Sequence, residues 1–311
     1  MKKHFREISV AAALGVMLAL LGVFAPAFFQ PQPLLSLATR EAPTLVVACG
    51  MAFVIISRQI DISVGSQFSV CGVCAGLLAA SGWPLAATLP AAVGAGALLG
   101  AVNGALIAGL GLPSIVVTLA MMVTLRQGLN LARQGQFVNL PDGVQWFGFS
   151  QSNGQGLIVS FALLLLVALA LAMRHLAAGR YIHAIGSDAE AARLAGIRPR
   201  LGTFLVFVLM GALTGLAAML NVVQSPQVQP LSGLGLELKV IAAVVVGGVA
   251  ISGGRGNLWG AFAGLLLLAC IGPALTHLRV EAYWEKAIQG AIILLAVVAD
   301  GIRSRRGGNG R

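Results

Sequence analysis

Charged residues are scarce in this chain. Only 10% of its 311 residues are Asp, Glu, Lys or Arg, and 58% are hydrophobic, whereas an ordinary soluble domain carries about 25% charged residues. A bilayer span requires about 20 mostly apolar residues, so membrane helices account for most of the length and leave no room for a sizeable soluble domain. The composition therefore predicts an all-α, polytopic integral-membrane helical bundle, organised as a single domain over residues 1–311 and surrounded by membrane lipid.

Motifs for catalysis and for nucleotide or metal binding are also missing from the sequence. It contains no G-x-x-x-x-G-K-[ST] phosphate-binding loop and no H-E-x-x-H zinc motif. Cys71 and Cys74 have the spacing of a metal or redox pair, but no second pair and no neighbouring His complete four ligands. We interpret these cysteines as packing residues and predict no catalytic residues, no metal site and no cofactor bound by this chain.

The net charge of +10 could indicate binding to nucleic acid. However, the basic residues lie at the ends of apolar segments and are not interleaved with aromatic residues on a polar face. Their placement instead fits the rule that cytoplasmic loops of membrane proteins are rich in Lys and Arg. The charge pattern therefore predicts no nucleic-acid partner and places both termini in the cytoplasm.

Hydropathy predicts about ten membrane helices, with eight or nine as alternatives because several segments are short or broken by glycine. The predicted spans are 8–28, 36–57, 63–80, 84–110, 113–130, 156–174, 202–222, 237–252, 257–276 and 285–302. Residues 1–27 also resemble a signal sequence, but the length of the apolar run and the spans that follow favour an uncleaved first span. The longest connections expected outside the cytoplasm are residues 131–155 and 223–236, which are rich in Gln, Asn, Gly and Pro.

Small residues recur at four-residue spacing in three of the predicted spans. The sets are Gly96/Gly100/Gly104, Gly211/Gly215 and Gly260/Gly264. Because such spacing allows helices to approach closely in lipid, we predict that these glycines form helix contacts.

A second pattern occurs once in each half of the chain. Residues 55–66 and 244–255 both end an apolar stretch with Ile-Ser inside a Gly-rich turn. Paired interruptions of this kind are typical of transporters built from a duplicated unit with broken helices.

A polar segment at residues 179–200 interrupts the apolar chain. Its charged residues, at roughly 2.5–3.5 kcal/mol each near a bilayer centre, oppose membrane insertion, so we place the segment in the cytoplasm. Ser187 and Glu190 have the spacing of a capping box, Gly196 suits the left-handed position after a helix end, and Pro199 prevents continuation. These signals predict a short helix over residues 188–195.

One side of this predicted helix is nearly flat. At helical spacing, Asp188, Ala191, Ala192 and Ala195 share a face. Another protein could approach this alanine surface closely, although a solvated connector between helices is the alternative.

The polar segment also carries a family resemblance. Its run Glu190-Ala191-Ala192-x-x-x-Gly196 resembles the EAA-x-x-x-G core of the cytoplasmic coupling loop in permease subunits of bacterial ABC importers. The wider Ile-x-Leu-Pro pattern of that loop is absent, since Val206-Phe207-Val208 stands in its region. Segments that resemble the ribose, xylose, rhamnose and autoinducer-2 branch are residues 59–66, 103–104, 112–119, 178–180 and 246–254.

This resemblance implies that the chain translocates a monosaccharide or sugar-like solute, of the rhamnose, ribose/xylose or autoinducer-2 class, across the bacterial inner membrane. It implies three protein partners: a second permease copy or paralogue, a cytoplasmic ATPase that binds ATP and Mg, and a periplasmic solute-binding protein. The residues it implies for coupling to the ATPase are Ser187, Glu190, Ala191, Ala192 and Gly196.

Polar side chains within the spans are candidates for the translocation path. They are Asp61, Ser63, Asn103, Ser114, Thr118 and Asn221. Hydroxyl and amide groups suit a neutral sugar, but intramembrane Ser and Thr often bond only to the backbone of their own helix. Arg58 and Asp61 are three residues apart, and we expect them to pair, either holding a helix break or gating the path.

Two other classes of function also occur among polytopic membrane proteins. An ion-coupled secondary transporter of a small polar solute usually requires an acid buried in mid-span, whereas Asp61 and Glu237 are expected near span ends. An intramembrane enzyme is disfavoured because no catalytic set of side chains converges at one depth.

Overall fold

A computed structural model describes residues 5–277, 280, 281, 284–292, 294 and 298 of the chain. Helices dominate these residues, because a helix satisfies its backbone N–H and C=O groups without water. In chain order the helices are α1 (Phe5–Phe24), α2 (Pro31–Ile56), α3 (Val64–Ala80), α4 (Leu85–Gly104), α5 (Ser114–Arg133), α6 (Gln151–His175), α7 (Ala177–Ser187), α8 (Ala189–Leu194), α9 (Pro199–Val222), α10 (Leu236–Val246), α11 (Leu258–Ala269) and α12 (Ile271–His277). A π-helical turn (Ala105–Gly109) extends α4, and the strands β1 (Val138–Asn139) and β2 (Gln227–Val228) form an antiparallel pair.

The polytopic helical architecture predicted from composition is confirmed. Among the described residues, 6 helices are long and apolar enough to cross a membrane. These are α2, α4 with its π turn, α5, α6, α9 and the segment Leu258–Thr276, while α1 and α3 contribute shorter apolar helices. The count of ten spans stays a prediction, and the predicted span 285–302 lies in part outside the described residues.

The predicted span 237–252 is wrong as one continuous helix. Helix α10 has 11 residues, or about 16 Å at 1.5 Å per residue, so it is too short to cross the bilayer alone. The chain then leaves helical conformation and becomes helical again only at Leu258.

Helix α9 separates two opposite ends of the molecule. Its 24 residues extend about 36 Å, more than the roughly 30 Å of bilayer hydrocarbon. It begins just after α8 and leads at its far end to β2. We call these two ends the α8 face and the β face. The two long polar connections meet on the β face, where Val138 of β1 pairs with Val228 of β2.

The predicted glycine contacts are confirmed, and the structure identifies their partners. Gly96 of α4 packs directly on the backbone of Gly211 in α9, so a Cβ atom on either residue would overlap the other helix. Gly100 meets the Phe207 carbonyl in the same way. The third set joins a different helix pair, since Gly264 of α11 packs against Ala243 of α10.

Both repeated Ile-Ser segments lie where membrane helices are broken. The first break, residues 57–63, separates α2 from α3, and the second, residues 247–257, separates α10 from α11. The two breaks are in contact, because the Gly254 amide donates a 2.8 Å hydrogen bond to the Ile56 carbonyl oxygen at the end of α2. The interruptions predicted from the sequence are therefore confirmed, while duplication of the fold stays a hypothesis.

Candidate transport site and coupling region

A buried polar cluster occupies the first helix break. The Asp61 carboxylate accepts hydrogen bonds from the Ser63 amide at 2.9 Å and the Ser63 hydroxyl at 2.5 Å. The Gln67 amide donates to Asp61 at 3.3 Å and to Ser63 Oγ at 2.7 Å. Asn103 of α4 completes the cluster by donating to Ser63 Oγ at 2.9 Å. All four side chains are fully buried, so the cluster joins α3, α4 and the break within the protein interior.

Ser114 and Thr118 hold the break from the other side. Ser114 Oγ accepts a hydrogen bond from the Ile60 amide at 3.3 Å, and Thr118 Oγ1 accepts one from the Ile62 amide at 3.1 Å. Unwound backbone in a membrane protein requires such partners, because lipid offers none. These two side chains of α5 therefore replace bonds that a continuous helix would supply.

These contacts belong to a row along one face of α5, which we call the polar seam. The row consists of four polar contacts. Ser114 and Thr118 bond to the Ile60 and Ile62 amides, the Met122 carbonyl accepts from Ser66 Oγ at 2.9 Å, and Arg126 forms an ion pair with Glu237 at 3.2 Å. Residues four apart share a helix face, which explains the regular spacing. Large apolar side chains on the rest of α5, such as Ile115, Val116 and Val123, are exposed, so polar contacts provide much of its attachment to the bundle.

The structure thus brings together Asp61, Ser63, Asn103, Ser114 and Thr118 and leaves Asn221 apart. Asn221 is half-buried near the end of α9, toward the β face. Gln67 was missed by the sequence reasoning, although a Gln four residues after Ser63 in an apolar helix was an available signal. The clustered side chains hold a helix break in this conformation, and their place in the translocation path stays a prediction.

The expected ion pair between Arg58 and Asp61 is wrong. Arg58 is exposed and has a positive φ of 64°, while Asp61 is buried and bonds to Ser63 and Gln67. The spacing rule for ion pairs requires a helix through both residues, and α2 ends at Ile56. Asp61 lies near a span end, as expected, in the break just before α3, and it is fully buried there.

Charged residues do pair elsewhere in the bundle, and the sequence reasoning missed these pairs. Lys239 of α10 donates to Glu41 of α2 at 2.7 Å, and Glu237 of α10 accepts from Arg126 of α5. Such intramembrane charges require partners. The two pairs fix the beginning of α10 to α2 and α5.

The predicted capping box at the polar segment is wrong by one residue. Ser187 is the last residue of α7, and its hydroxyl donates to the His183 carbonyl at 2.8 Å. Asp188 caps α8 instead, because its Oδ1 accepts from the Glu190 and Ala191 amides at 2.9 and 3.0 Å. Glu190 pairs with Arg193 and raises the pKa of that guanidinium.

The predicted end of the short helix is confirmed. Gly196 has a φ of 83°, and the amides of Gly196 and Ile197 donate to the carbonyls of Arg193 and Ala192 at 3.0 Å. This arrangement is a Schellman motif, which favours glycine at the left-handed position. Pro199 then begins α9.

The flat alanine face divides between the protein's own core and its surface. Ala192 is buried within the chain, with 4% of its surface exposed, whereas Ala191 and Ala195 are exposed. Leu194 is 77% exposed, so the surface available to another protein centres on Ala191, Leu194 and Ala195.

Helix α7 lies directly on both helix breaks. Gly186 packs so tightly against the Ile56 carbonyl and the Gly254 amide that a Cβ atom there would overlap them. His183 Nδ1 lies 3.1 Å from the Gly254 carbonyl oxygen. A displacement of α7 and α8 therefore acts on the ends of two broken membrane helices at once.

Broken membrane helices around a buried polar cluster, joined to a short exposed helix, define a membrane transport subunit. Residues 34–297 match the family described as "Branched-chain amino acid transport system / permease component". The chain belongs to this family.

Several curated relatives are similar over nearly the whole chain. The ribose import permease protein RbsC of Escherichia coli (strain K12) is 32% identical over 304 residues, which cover 96% of this chain and 95% of RbsC. The autoinducer 2 import system permease protein LsrC of Enterobacter sp. (strain 638) is 32% identical over 95% of this chain and 87% of LsrC. The probable ABC transporter permease protein y4mJ of Sinorhizobium fredii (strain NBRC 101917 / NGR234) is 30% identical over 97% of this chain and 91% of y4mJ. No solved structure matches the chain.

Proposed function

We propose that this chain is the membrane-spanning permease subunit of an ABC importer in the bacterial inner membrane. Its solute would be a monosaccharide or sugar-like molecule of the rhamnose, ribose/xylose or autoinducer-2 class. Similarity to RbsC and LsrC along almost the full length of each chain supports this class of solute. ATP and Mg would bind to a partner ATPase, and a periplasmic binding protein would deliver the solute.

Helix α8 would be the coupling helix, on the cytoplasmic side. Val10, near the beginning of α1, lies beside Trp259 and Gly260 at the start of α11. Helix α11 follows the second helix break, and that break is in contact with α7. The beginning of α1 is therefore on the α8 face, in agreement with a cytoplasmic N-terminus. The β face with its paired loops would then receive the binding protein. The proposed topology also places the C-terminus in the cytoplasm.

The contact of α7 with both breaks is the observation that carries the proposed mechanism. Force applied by the ATPase to α8 would pass through Gly186 to the ends of α2 and α11. The buried cluster and the polar seam connect the first break to α4 and α5. Movement of the breaks would thereby shift the bundle between outward and inward access, with a second permease copy or paralogue supplying the other half of the path.

The test is ATP-driven uptake in proteoliposomes that contain the permease, its ATPase and its binding protein. Leu194→Glu places a charge on the exposed surface of α8 and should reduce uptake by at least about tenfold, within the usual range of coupling energies. Leu176→Glu is the matched control, since Leu176 is also an exposed leucine on the α8 face but lies between α6 and α7, outside α8. Equal uptake by the two variants would refute the assignment of α8.

The alternative function is a secondary transporter driven by an ion gradient. Its specific support is Asp61, an acid that is fully buried at a helix break, where coupling ions bind in some transporters. Vesicles that contain only this chain, compared with vesicles that also contain the ATPase and the binding protein, distinguish the two functions. Solute uptake that follows a proton or sodium gradient without ATP would favour the alternative, and uptake that requires ATP and the ATPase would exclude it.

A further inference from the structure

A pocket of about 310 Å³ opens on the α8 face between α6, α7 and the start of α11. Its lining combines a basic side with an apolar side. The lining residues are Ala170, Met173, Arg174, His183, Gly256, Asn257, Leu258 and Trp259.

The side chains that line the pocket include basic groups and no acid. Arg174 and His183 line it, and the two segments that form this rim, residues 174–187 and 247–260, contain no Asp or Glu. Within the part of the chain that the structure describes, Arg174 has no ion-pair partner. The N-terminal end of α11 carries a partial positive charge, which adds to the positive electrostatic potential of the pocket. The pocket therefore favours an anion.

An apolar groove continues from the pocket toward α1. A second cavity of about 130 Å³ shares Asn257 and Trp259 with the first and is lined by Val10, Gly247, Gly260 and Ala263. Trp259 is 53% exposed, and tryptophan at such a position is typical of the interface between lipid headgroups and hydrocarbon. The position of Trp259 is consistent with a pocket at headgroup level, and the groove extends along α11 as far as Ala263.

We propose that the pocket binds the headgroup of an anionic phospholipid, with part of an acyl chain in the adjoining groove. Basic pockets between membrane helices on the cytoplasmic side suit anionic headgroups. A free anion would need only the basic part, whereas a phospholipid uses both parts. Because the pocket touches Gly256 and His183, the bound lipid contacts the second helix break and α7.

The test is a lipid titration of the full-length chain, purified in a neutral detergent and followed by native mass spectrometry. Phosphatidylglycerol should remain bound where phosphatidylcholine does not. Arg174→Gln should weaken phosphatidylglycerol binding about fivefold, the usual contribution of one basic residue near an anionic membrane surface. Ala170→Trp fills the pocket without changing charge and should abolish binding.

Arg180→Gln is the matched control, because Arg180 is an exposed arginine of α7 that does not line the pocket. It should bind phosphatidylglycerol as tightly as the unmodified chain does. Lipid binding is compared only among variants whose thermal unfolding midpoint equals that of the unmodified chain. Equal losses in Arg174→Gln and Arg180→Gln would overturn the proposal. So would equal binding of phosphatidylcholine, or displacement of the lipid by inorganic phosphate alone, which would indicate a site for free anions.

Discussion

At the scale of single residues, the buried cluster around Asp61 should contribute measurably to stability. Replacing Ser63 with Ala keeps a similar volume but removes the acceptor of the buried Asn103 amide and one donor to Asp61. A buried polar group that loses its partner costs about 1–3 kcal/mol, so the thermal unfolding midpoint of the purified chain should fall. Ser81→Ala is the matched control, since the Ser81 hydroxyl, at the end of α3, donates to the Leu77 carbonyl of its own helix at the surface. Equal midpoints for the two variants would contradict a stabilising role for the cluster.

Single residues also mark the limit of reasoning from the sequence at this site. Ser187 and Asp188 are adjacent and both suit a helix cap, and the choice between them depends on α7, which uses Ser187 in its own last turn. Similarly, the spacing of Arg58 and Asp61 predicts an ion pair only if the helix continues through both. The candidate set around Asp61 was nevertheless recognisable, because polar side chains in apolar spans require partners.

At the scale of elements, the contact of α4 with α9 should be intolerant of added volume. Gly96→Val would force a side chain into the Gly211 backbone, and overpacking of this kind costs about 1–3 kcal/mol or more. Gly94→Val changes the same helix and has the same intrinsic cost, but Gly94 has no atom within 4 Å of its added Cβ. The yield of monodisperse protein after detergent extraction should therefore fall for Gly96→Val alone. A similar loss for both variants would mean that helix propensity, not close packing, limits the fold.

The glycine spacing predicted such contacts but not their partners. Gly96/Gly100 and Gly211 carry the same pattern as Gly260/Gly264, and nothing local in the sequence specifies that α4 pairs with α9 while α11 pairs with α10. Hydropathy alone extends α10 to residue 252, because it registers apolar residues and not whether the helix continues through them, whereas the Gly-rich turn in 244–255 indicated the break. The ion pairs of Glu237 and Lys239 anchor the start of α10 within the bundle, and the helix ends before Gly248, which has a φ of 94°.

At the scale of the whole molecule, the polar segment predicted to lie outside the hydrocarbon connects an exposed surface to both helix breaks. Gly186→Ala tests this connection, because the added methyl group would push α7 away from Ile56 and Gly254. In proteoliposomes with the ATPase and the binding protein, this variant should keep ATP hydrolysis but lose about tenfold in uptake, as expected when a coupling free energy of typical size is removed. Gly156→Ala on α6 is the matched control, because open space surrounds its added Cβ. Unchanged uptake by Gly186→Ala, or a parallel loss of hydrolysis and uptake, would show that the contact does not transmit the movement of α8.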